Sequence, residues 1–314
     1  MLKRVLLVFV LVVACQREAA PPPGPPMKEG APPMPMTTSP TATAGSQPQK
    51  LTGFQTPESV LYDPEQDVYF VSNINGQPLA ADDNGYISRI NAESLQIDAK
   101  WIDAAKPDII LNAPKGMAIL GDDLYVADLS VVRKFDRKNG KPKGEVAIPG
   151  STFLNDLASD GKAIYVSDTG MKAGNNGFEP TGTDAIWKIV GDKPQKIASG
   201  SSLNRPNGVD VVDGRVWAVS FGSNELYQID KGKKSNLTTK LPKGSLDGLV
   251  HLSDGSFLIS SWDGKAVYRG KPGGTFEAAV SNVDAPADIG YDTKRHRLLV
   301  PHFNENVVTM HEVQ

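Results

Sequence analysis

Residues 114–128, PKGMAILGDDLYVAD, contain in order a polar residue before a glycine, an apolar strand, a tight turn and a second apolar strand. The beginning of this stretch recurs five times in the same phase. The recurrences are TPESVLYD (56–63), FLNDLASD (153–160), RPNGVDVV (205–212), SLDGLVHL (245–252) and APADIGYD (285–292). Tight turns between apolar runs rich in β-branched residues predict antiparallel β-hairpins. The stretch therefore predicts a repeated all-β fold.

The length of the repeat matches one blade of a β-propeller. Each unit continues to a second strand, such as VYFVSN (68–73), and to a third, such as YISRIN (86–91). Residues 51–314 divide into six units of about forty-four residues, close to the ~40–45 residues of a four-stranded blade. We expect a six-bladed β-propeller in which residues 51–54 supply the outer strand of the last blade. Closing the ring in this way removes the open sheet edges.

Equivalent positions of the repeat support six blades and locate two insertions. Successive intervals between these positions are 57, 40, 52, 40 and 40 residues. The positions themselves are Glu58, Lys115, Asn155, Asn207, Asp247 and Ala287. Extra residues at 73–85 and 169–184, each between a second and a third strand, account for the two long intervals. In an antiparallel blade this connection returns to the face on which the first strand begins. Both insertions are therefore expected to overhang that face, where ligands usually bind. The same is expected of Asn73, Asp128, Asp168, Phe221, Trp262 and His302.

The first fifty residues have the composition of an export signal and a spacer. Lys3 and Arg4 precede the apolar run 5–13, which is too short to span a bilayer, since a spanning helix needs roughly 20 residues. Cys15, the only cysteine of the chain, follows at the place where a bacterial lipoprotein carries its lipid. We expect residues 1–15 to be a lipoprotein signal peptide. Residues 16–50 contain ten prolines and predict an extended linker.

A lipid on Cys15 implies export and anchoring to a bacterial membrane, at the periplasmic face of the outer membrane or at the cell surface. No other cysteine remains for a disulfide or for thiol catalysis, so the core alone must stabilise the fold. A net charge of −3 over 314 residues excludes the strong basic field that is typical of nucleic-acid-binding proteins. We expect contact with the membrane through the lipid only, and a monomeric propeller.

Four of the six equivalent positions carry side-chain oxygen atoms. Glu58 and Asp247 are carboxylates, and Asn155 and Asn207 are amides. First strands line the channel of a propeller, so these groups are expected to converge at its axis. An all-oxygen set suits Ca²⁺ better than Zn²⁺, although another divalent cation is possible. The alternative is that Asn-Gly and Asp-Gly pairs are only turn residues that begin strands.

The ring of axial residues resembles that of the regucalcin/gluconolactonase superfamily, which includes senescence marker protein, paraoxonases and diisopropylfluorophosphatase. The resemblance covers residues 51–314 and rests on TPESVLYD, the two asparagines and the aspartate of LDGL. It implies a catalytic calcium at the axis, held by Glu58, Asn155, Asn207 and Asp247. Trp262 and His302 resemble residues that line the substrate pocket in that superfamily. Lys115 and Ala287 depart from the pattern.

Two functions remain open from the sequence. In the first, the protein is a calcium-dependent hydrolase of lactones or related esters, and the cation acts as a Lewis acid. Asp247 is then the candidate general base or nucleophile, while Lys115 and His302 orient the substrate or stabilise its charge. In the second, the propeller is a non-catalytic, lipid-tethered module that binds a protein, a peptide or a sugar.

Overall fold

Every repeat detected in the sequence contributes to a four-stranded antiparallel sheet, and six such sheets form the β-propeller in this computed structural model. The structure describes residues 48–175 and 177–313. The predicted signal peptide, Cys15 and residues 16–47 of the predicted linker lie outside the described residues. In the described part of the chain, no helix is long and apolar enough to cross a membrane.

The strands follow one another around the ring, blade by blade. The chain begins with β1 (Gln49–Thr52). Blade 1 contains β2 (Pro57–Asp63), β3 (Val68–Asn73), β4 (Tyr86–Asn91) and β5 (Ile97–Asp103). Blade 2 contains β6 (Pro114–Leu120), β7 (Asp123–Asp128), β8 (Val131–Asp136) and β9 (Pro142–Ala147). Blade 3 contains β10 (Leu154–Ser159) and β11 (Ile164–Asp168), an inserted hairpin of β12 (Met171–Gly174) and β13 (Gly177–Pro180), and then β14 (Ala185–Val190) and β15 (Lys193–Ser199).

A short 3₁₀ turn (Ser201–Leu203) leads from the third blade to the fourth. Blade 4 contains β16 (Pro206–Val212), β17 (Arg215–Ser220), β18 (Glu225–Asp230) and β19 (Lys233–Lys240). Blade 5 contains β20 (Leu246–His251), β21 (Phe257–Ser261), β22 (Ala266–Gly270) and β23 (Phe276–Ser281). Blade 6 contains β24 (Gly290–Asp292), β25 (Arg297–His302) and β26 (Val307–Glu312), and β1 completes it.

The predicted closure of the ring is confirmed, with a shift of two residues. Strand β1 pairs antiparallel with β26, so that Leu51 lies opposite Val308. The closing strand therefore covers residues 49–52 rather than the predicted 51–54. Phe54 is buried and packs in the core between blades 6 and 1 instead of pairing. Closure joins the two ends of the folded chain within one sheet.

The hydrophobic core lies between the blades. Six clusters of buried apolar side chains each combine residues of two neighbouring blades, one cluster at every interface around the ring. Side chains on the two faces of a strand point in opposite directions, so an apolar strand in a propeller packs against both neighbours. This explains why a second strand such as β3 is buried on both faces, with all six of its residues buried.

The sixth blade begins differently from the other five. Its first strand is only three residues long, and Asp288, which lies just before that strand, bridges Ser59 of blade 1 in parallel register. The backbone N–H of Asp288 donates to the carbonyl of Glu58 at 2.8 Å, and the N–H of Val60 donates to the carbonyl of Asp288 at 3.2 Å. The first strands of blades 6 and 1 are therefore joined directly beside the channel.

Candidate functional site

A β-bulge occurs at the axial residue of each of the first five blades. In every case the axial residue lies in an unpaired stretch in which the first strand has one residue more than the second strand. These stretches lie between Pro57 and Ser59, Pro114 and Met117, Leu154 and Leu157, Pro206 and Val209, and Leu246 and Leu249. Bulges bend a strand and redirect a side chain. They explain how residues of five separate sheets come to line one cavity.

Serine side chains satisfy backbone donors at three of the bulges. A buried N–H without a partner is costly, so a bulge in the protein interior needs a substitute acceptor. Hydroxyl oxygens of the second strand accept these N–H groups at 2.7–2.9 Å. The donor and acceptor pairs are Ser59 with Ser72, Asp156 with Ser167, and Gly248 with Ser260.

Glycines after the axial residues allow the first strands to approach one another closely. A Cβ on Gly208 would clash with the backbone carbonyl oxygen of Asp247, and one on Gly248 would clash with the backbone nitrogen of Ile289. Neither glycine has a positive φ angle. The Asn207-Gly208 and Asp247-Gly248 pairs are therefore close-packing positions at the channel rather than turn residues.

The axial residues form the floor of a cavity of about 340 Å³. Its floor consists of Glu58, Lys115, Asn155, Asn207 and Asp247, all of which are buried. Its walls come from the connections that follow the second strands, from the two insertions and from Phe153, which directly precedes the first strand of blade 3. The apolar wall residues are Ile74, Pro78, Phe153, Met171, Phe178, Phe221, Trp262 and Phe303.

Four oxygens of the cavity floor have no hydrogen-bond partner. They are Glu58 Oε2, Asn155 Oδ1, Asn207 Oδ1 and Asp247 Oδ1. Buried polar atoms are almost always paired, so four unpartnered acceptors around one cavity are a donor set that could hold a hard divalent cation. No group of three or more His, Cys, Asp or Glu within the described residues could hold a metal ion. The floor has only two carboxylates, and amide oxygens complete its donor set.

The Asp247 carboxylate is held by an indole. Trp262 Nε1 donates to Asp247 Oδ2 at 2.7 Å, which leaves Oδ1 as the unpartnered oxygen. The indole ring in turn packs between Phe221, with ring centroids 5.8 Å apart, and Phe303, with ring centroids 5.3 Å apart. The orientation of Asp247 is therefore set by packing across blades 4 to 6.

Lys115 is a fully buried cation at the edge of the floor. Its Nζ donates to the carbonyl of Ala113 at 2.9 Å and lies 4.8 Å from the centre of the Phe153 ring. Cation–π contact and one hydrogen bond offset part of the cost of burying the ammonium group. The Glu58 and Asp128 carboxylates act against burial and favour the charged form of Lys115.

Burial shifts the proton affinities of the floor residues. It raises the pKa of the Glu58 carboxyl well above its usual range, and the nearby Asp247 and Asp288 carboxylates raise it further. Burial also raises the pKa of Asp247 to about 8, even though hydrogen bonds from Trp262 and Asn207 oppose the shift. The pKa of Lys115 falls to about 8 through burial. A cation that binds here would displace protons from the carboxyl groups.

Several residues expected to overhang the site have structural roles instead. Asn73, Asp128 and Asp168 end the second strands of blades 1 to 3, and none of them lines the cavity. Their side-chain oxygens accept backbone N–H groups from the segment that precedes the first strand of the same blade, as in the bond from Ala113 to Asp128 at 2.9 Å. These three residues hold the entry to each first strand in place.

His302 occupies the same register as those three residues and also lies outside the cavity lining. Its Nε2 is 2.9 Å from the hydroxyl of Thr309, and its Nδ1 is 3.2 Å from the Glu305 carboxylate. Burial lowers the pKa of the imidazole. The structure therefore brings Trp262 and Lys115 to the cavity but not His302.

The next residue, Phe303, lines the cavity in the position expected for His302. Phe221, Trp262 and Phe303 directly follow the second strands of blades 4 to 6 and are spaced 41 residues apart. This regular spacing is visible in the sequence and could have predicted Phe303. Phe153 and Phe178 are the other aromatic residues of the cavity that were not predicted from the sequence. Phe178 lies on β13 and its ring stacks on Phe153, with centroids 6.0 Å apart. No local pattern marks an inserted hairpin that folds over another segment.

A second depression, of about 450 Å³, lies at the far ends of the first strands. Two buried aspartates, Asp156 and Asp288, line this depression, and both accept hydrogen bonds from protein groups. Asp156 accepts from the N–H groups of Leu157 and Val209, and Asp288 Oδ2 accepts from the Ser59 hydroxyl at 2.5 Å. Because these carboxylates are satisfied by the protein, the axial cavity is the better candidate for a functional site.

Solved structures share this fold. A gluconolactonase from Xanthomonas campestris matches with a TM-score of 0.62 and 16% identity, covering 84% of this chain and 89% of that chain. A second gluconolactonase-like structure matches with a TM-score of 0.64 and 14% identity, covering 86% and 93%. Virginiamycin B lyase from Staphylococcus aureus matches with a TM-score of 0.54 and 14% identity, covering 85% and 99%. At these identities the likeness concerns the fold alone. No protein-family model and no curated protein matches the chain.

Proposed function

We propose that the protein is a calcium-dependent hydrolase of lactones or related esters, with its active site in the axial cavity. The observation that carries the proposal is the group of four unpartnered buried oxygens on the cavity floor. Glu58, Asn155, Asn207 and Asp247 would hold the cation. The gluconolactonase-like structural neighbours support the reaction class. When bound, Ca²⁺ supplies Lewis acidity toward the carbonyl oxygen of the substrate.

Asp247 is the residue proposed to act on the substrate or on the attacking water. Its Oδ2 is occupied by the Trp262 indole, so Oδ1 is the oxygen that can contact the cation or accept a proton. The Trp262 hydrogen bond keeps that base in one orientation.

Lys115 is proposed to stabilise negative charge. Glu58, Asp247 and Lys115 together carry a net charge of −1 when ionised, and a divalent cation changes this to +1. A site with a positive charge favours the oxyanion of ester hydrolysis and the carboxylate product. The buried ammonium of Lys115 faces the same cavity as the four oxygens.

Thermal unfolding with and without Ca²⁺, combined with a lactone panel, tests the proposal. Saturating Ca²⁺ at about 100 times its Kd is expected to add roughly 2.7 kcal/mol and to raise the Tm by about 5–10 °C. Glu58→Gln is expected to abolish both this shift and lactone hydrolysis. Glu277→Gln is the matched control, because Glu277 is exposed on the outer strand of blade 5. If Ca²⁺, Mg²⁺ and Zn²⁺ all leave the Tm of the wild-type protein unchanged, the result would favour the non-catalytic binding propeller.

We also propose that the protein is exported and anchored by a lipid on Cys15, which acts as its sole contact with the membrane. The arrangement of the charged start, the apolar run and the single cysteine supports this. Mass spectrometry of the mature protein is expected to find acyl groups on Cys15. A mature chain that retains residues 1–14, or that carries no lipid, would contradict it.

A further inference from the structure

We infer that the non-reacting part of the substrate is apolar, an aromatic ring or an alkyl chain, rather than a polyhydroxylated sugar. This inference rests on the proposed hydrolase function and names the substrate class of the same site. It comes from the walls of the axial cavity, which differ in chemistry from the floor.

The walls present aromatic rings from four consecutive blades. Phe153 and Phe178 come from blade 3, Phe221 from blade 4, Trp262 from blade 5 and Phe303 from blade 6. Ile74 and Pro78 of the first insertion continue the apolar surface into blade 1. An aromatic group entering this ring of side chains would exchange water for ring faces and edges on most sides.

The walls offer few hydrogen bonds to a hydroxylated ligand. Thr169 and Gln77 are the polar residues among them. The Thr169 hydroxyl already donates to the carbonyl of Pro206 at 2.9 Å. A sugar lactone would bury several hydroxyl groups against apolar side chains, and each one without a partner costs about 1–3 kcal/mol. The cavity therefore selects against sugar lactones.

The aromatic wall is also rigid where it meets the floor. Trp262 is fixed by its hydrogen bond to Asp247 and by contact with the Phe221 and Phe303 rings. Phe153 is fixed by the Lys115 ammonium and by the stacked Phe178 ring. Preorganised rings bind an apolar ligand without the cost of ordering them, and a volume of about 340 Å³ is within the ~300–1,000 Å³ of small-molecule pockets.

The experiment compares two lactones and two cyclic ethers that lack the carbonyl. Dihydrocoumarin, a benzo-fused δ-lactone, is expected to have a kcat/KM at least about tenfold above that of glucono-δ-lactone. Chroman and 1,5-anhydroglucitol are their unreactive counterparts and report binding without hydrolysis. Chroman is expected to bind the Ca²⁺-loaded protein and to change its tryptophan fluorescence, whereas 1,5-anhydroglucitol is expected not to bind.

Variants of the wall residues distinguish binding in the cavity from non-specific hydrophobic binding to the protein surface. Phe221→Ala and Phe303→Ala are expected to raise KM for dihydrocoumarin and Kd for chroman about tenfold, with a smaller effect on kcat. Leu237→Ala is the matched control, since Leu237 is 81% exposed on the outer strand of blade 4. Circular dichroism and Ca²⁺ binding establish that each variant is folded and retains its floor.

The outcomes distinguish this inference from the proposed function. Chroman binding that depends on Phe303, in a protein that hydrolyses no lactone, would uphold the apolar ligand class and contradict the hydrolase. A higher kcat/KM for glucono-δ-lactone than for dihydrocoumarin would uphold the hydrolase and overturn this inference. Failure of chroman to bind, or equal loss of binding in Leu237→Ala, would also overturn it.

Discussion

At the scale of single residues, the candidate site depends on which polar atoms lack a partner inside the protein. The carboxylates of the far depression accept hydrogen bonds from backbone N–H groups or from Ser59, whereas four oxygens of the axial floor accept none. The two sets have similar residue types and similar burial. A ligand would stabilise the four unpartnered floor oxygens most, because binding would supply the interactions that these buried atoms lack.

Lys115 gives a prediction at this scale. Replacing it by Met removes a positive charge beside the proposed cation site while keeping most of the side-chain volume. Lys115→Met is therefore expected to tighten Ca²⁺ binding by at least about tenfold, because charge repulsion in a buried site is strong. It is also expected to lower kcat for lactone hydrolysis, because the oxyanion loses a stabilising charge.

Isothermal titration with Ca²⁺ and steady-state kinetics measure the two effects. Lys271→Met, in an exposed turn of blade 5, is the control and is expected to change neither quantity. Weaker Ca²⁺ binding in Lys115→Met would mean that the lysine supports the site in another way than by its charge.

At the scale of elements, the bulged first strand is the unit that builds the site. The bulge redirects the axial residue, a second-strand serine can accept the N–H that the bulge displaces, and the following glycine allows the neighbouring first strand to pack closely. Blade 5 contains all three features, in Asp247, Ser260 and Gly248. Blade 6 has a shorter first strand and contributes no floor residue.

Gly208 gives a prediction for this element. A methyl group on Gly208 would clash with the backbone of blade 5 at Asp247, and backbone cannot move aside as a flexible side chain can. Gly208→Ala is therefore expected to destabilise the fold by about 2–3 kcal/mol, as overpacking of a core does. Denaturant unfolding measures the change.

Gly76→Ala is the matched control for this prediction. A Cβ on Gly76 meets only the Asp82 and Asn84 side chains, at 3.5 Å and 3.7 Å, and the change is expected to stay within about 0.5 kcal/mol. Equal costs for the two substitutions would contradict the close-packing role of Gly208.

The strands also show which elements of the fold can be predicted from local sequence patterns. The third strand of blade 1 coincides with its predicted segment, residues 86–91, because apolar alternation and turn residues are local signals. The outer strands of the first five blades could not be located in the sequence. Residues 142–147, for example, expose five of six side chains and carry no apolar pattern.

At the scale of the whole molecule, the ring is held closed by β1 and by charged turns at the same junction. Asp67 of blade 1 accepts hydrogen bonds from Lys294 and Arg295 of blade 6 at 2.7 Å. These ion pairs hold the pKa of Asp67 well below its usual range. Asp67 is partly exposed, so the apolar contacts of β1 contribute more to closure than these ion pairs do.

Leu51 gives a prediction for closure. It is buried between blades 6 and 1, opposite Val308 in the closing pair of strands. Leu51→Ala is expected to lower the free energy of unfolding by about 2–3 kcal/mol, as other buried leucine truncations do. Lys50→Ala, the exposed neighbour in the same strand, is expected to change it by less than about 0.5 kcal/mol. Chemical denaturation of both variants provides the comparison, and equal effects would contradict closure through the buried face of β1.

The buried acids predict how stability depends on pH. Burial raises the pKa of Asp247 to about 8 and that of Asp288 to about 7, so the folded protein holds protons that the unfolded chain releases above its usual carboxyl pKa of about 4. The metal-free Tm is therefore expected to fall as the pH rises from about 4 to 8. The lowered pKa of Lys115 acts in the opposite direction, but only above about pH 8.

Calcium is expected to reverse this dependence, because a bound cation favours the ionised carboxyl groups. The stabilisation by Ca²⁺ should thus grow between pH 5 and 8, and calorimetry in buffers of different ionisation enthalpy should detect proton release on binding. Asp247→Asn, compared in the presence of EDTA, is expected to flatten the pH dependence of the metal-free Tm. A metal-free Tm that rises steadily over this range would contradict the assignment of buried, protonated acids.

The sequence by itself determined the number of blades, the phase of their strands and the six equivalent positions, five of which supply the floor residues. These follow from turn residues, apolar periodicity and a constant repeat length, which are properties of the local chain. Only the tertiary structure decided that four floor oxygens lack partners, that His302 lies outside the cavity and that aromatic rings form the walls. Hydrogen-bond satisfaction and cavity lining depend on atoms from different blades, and a bulge or an inserted hairpin changes them without altering the repeat.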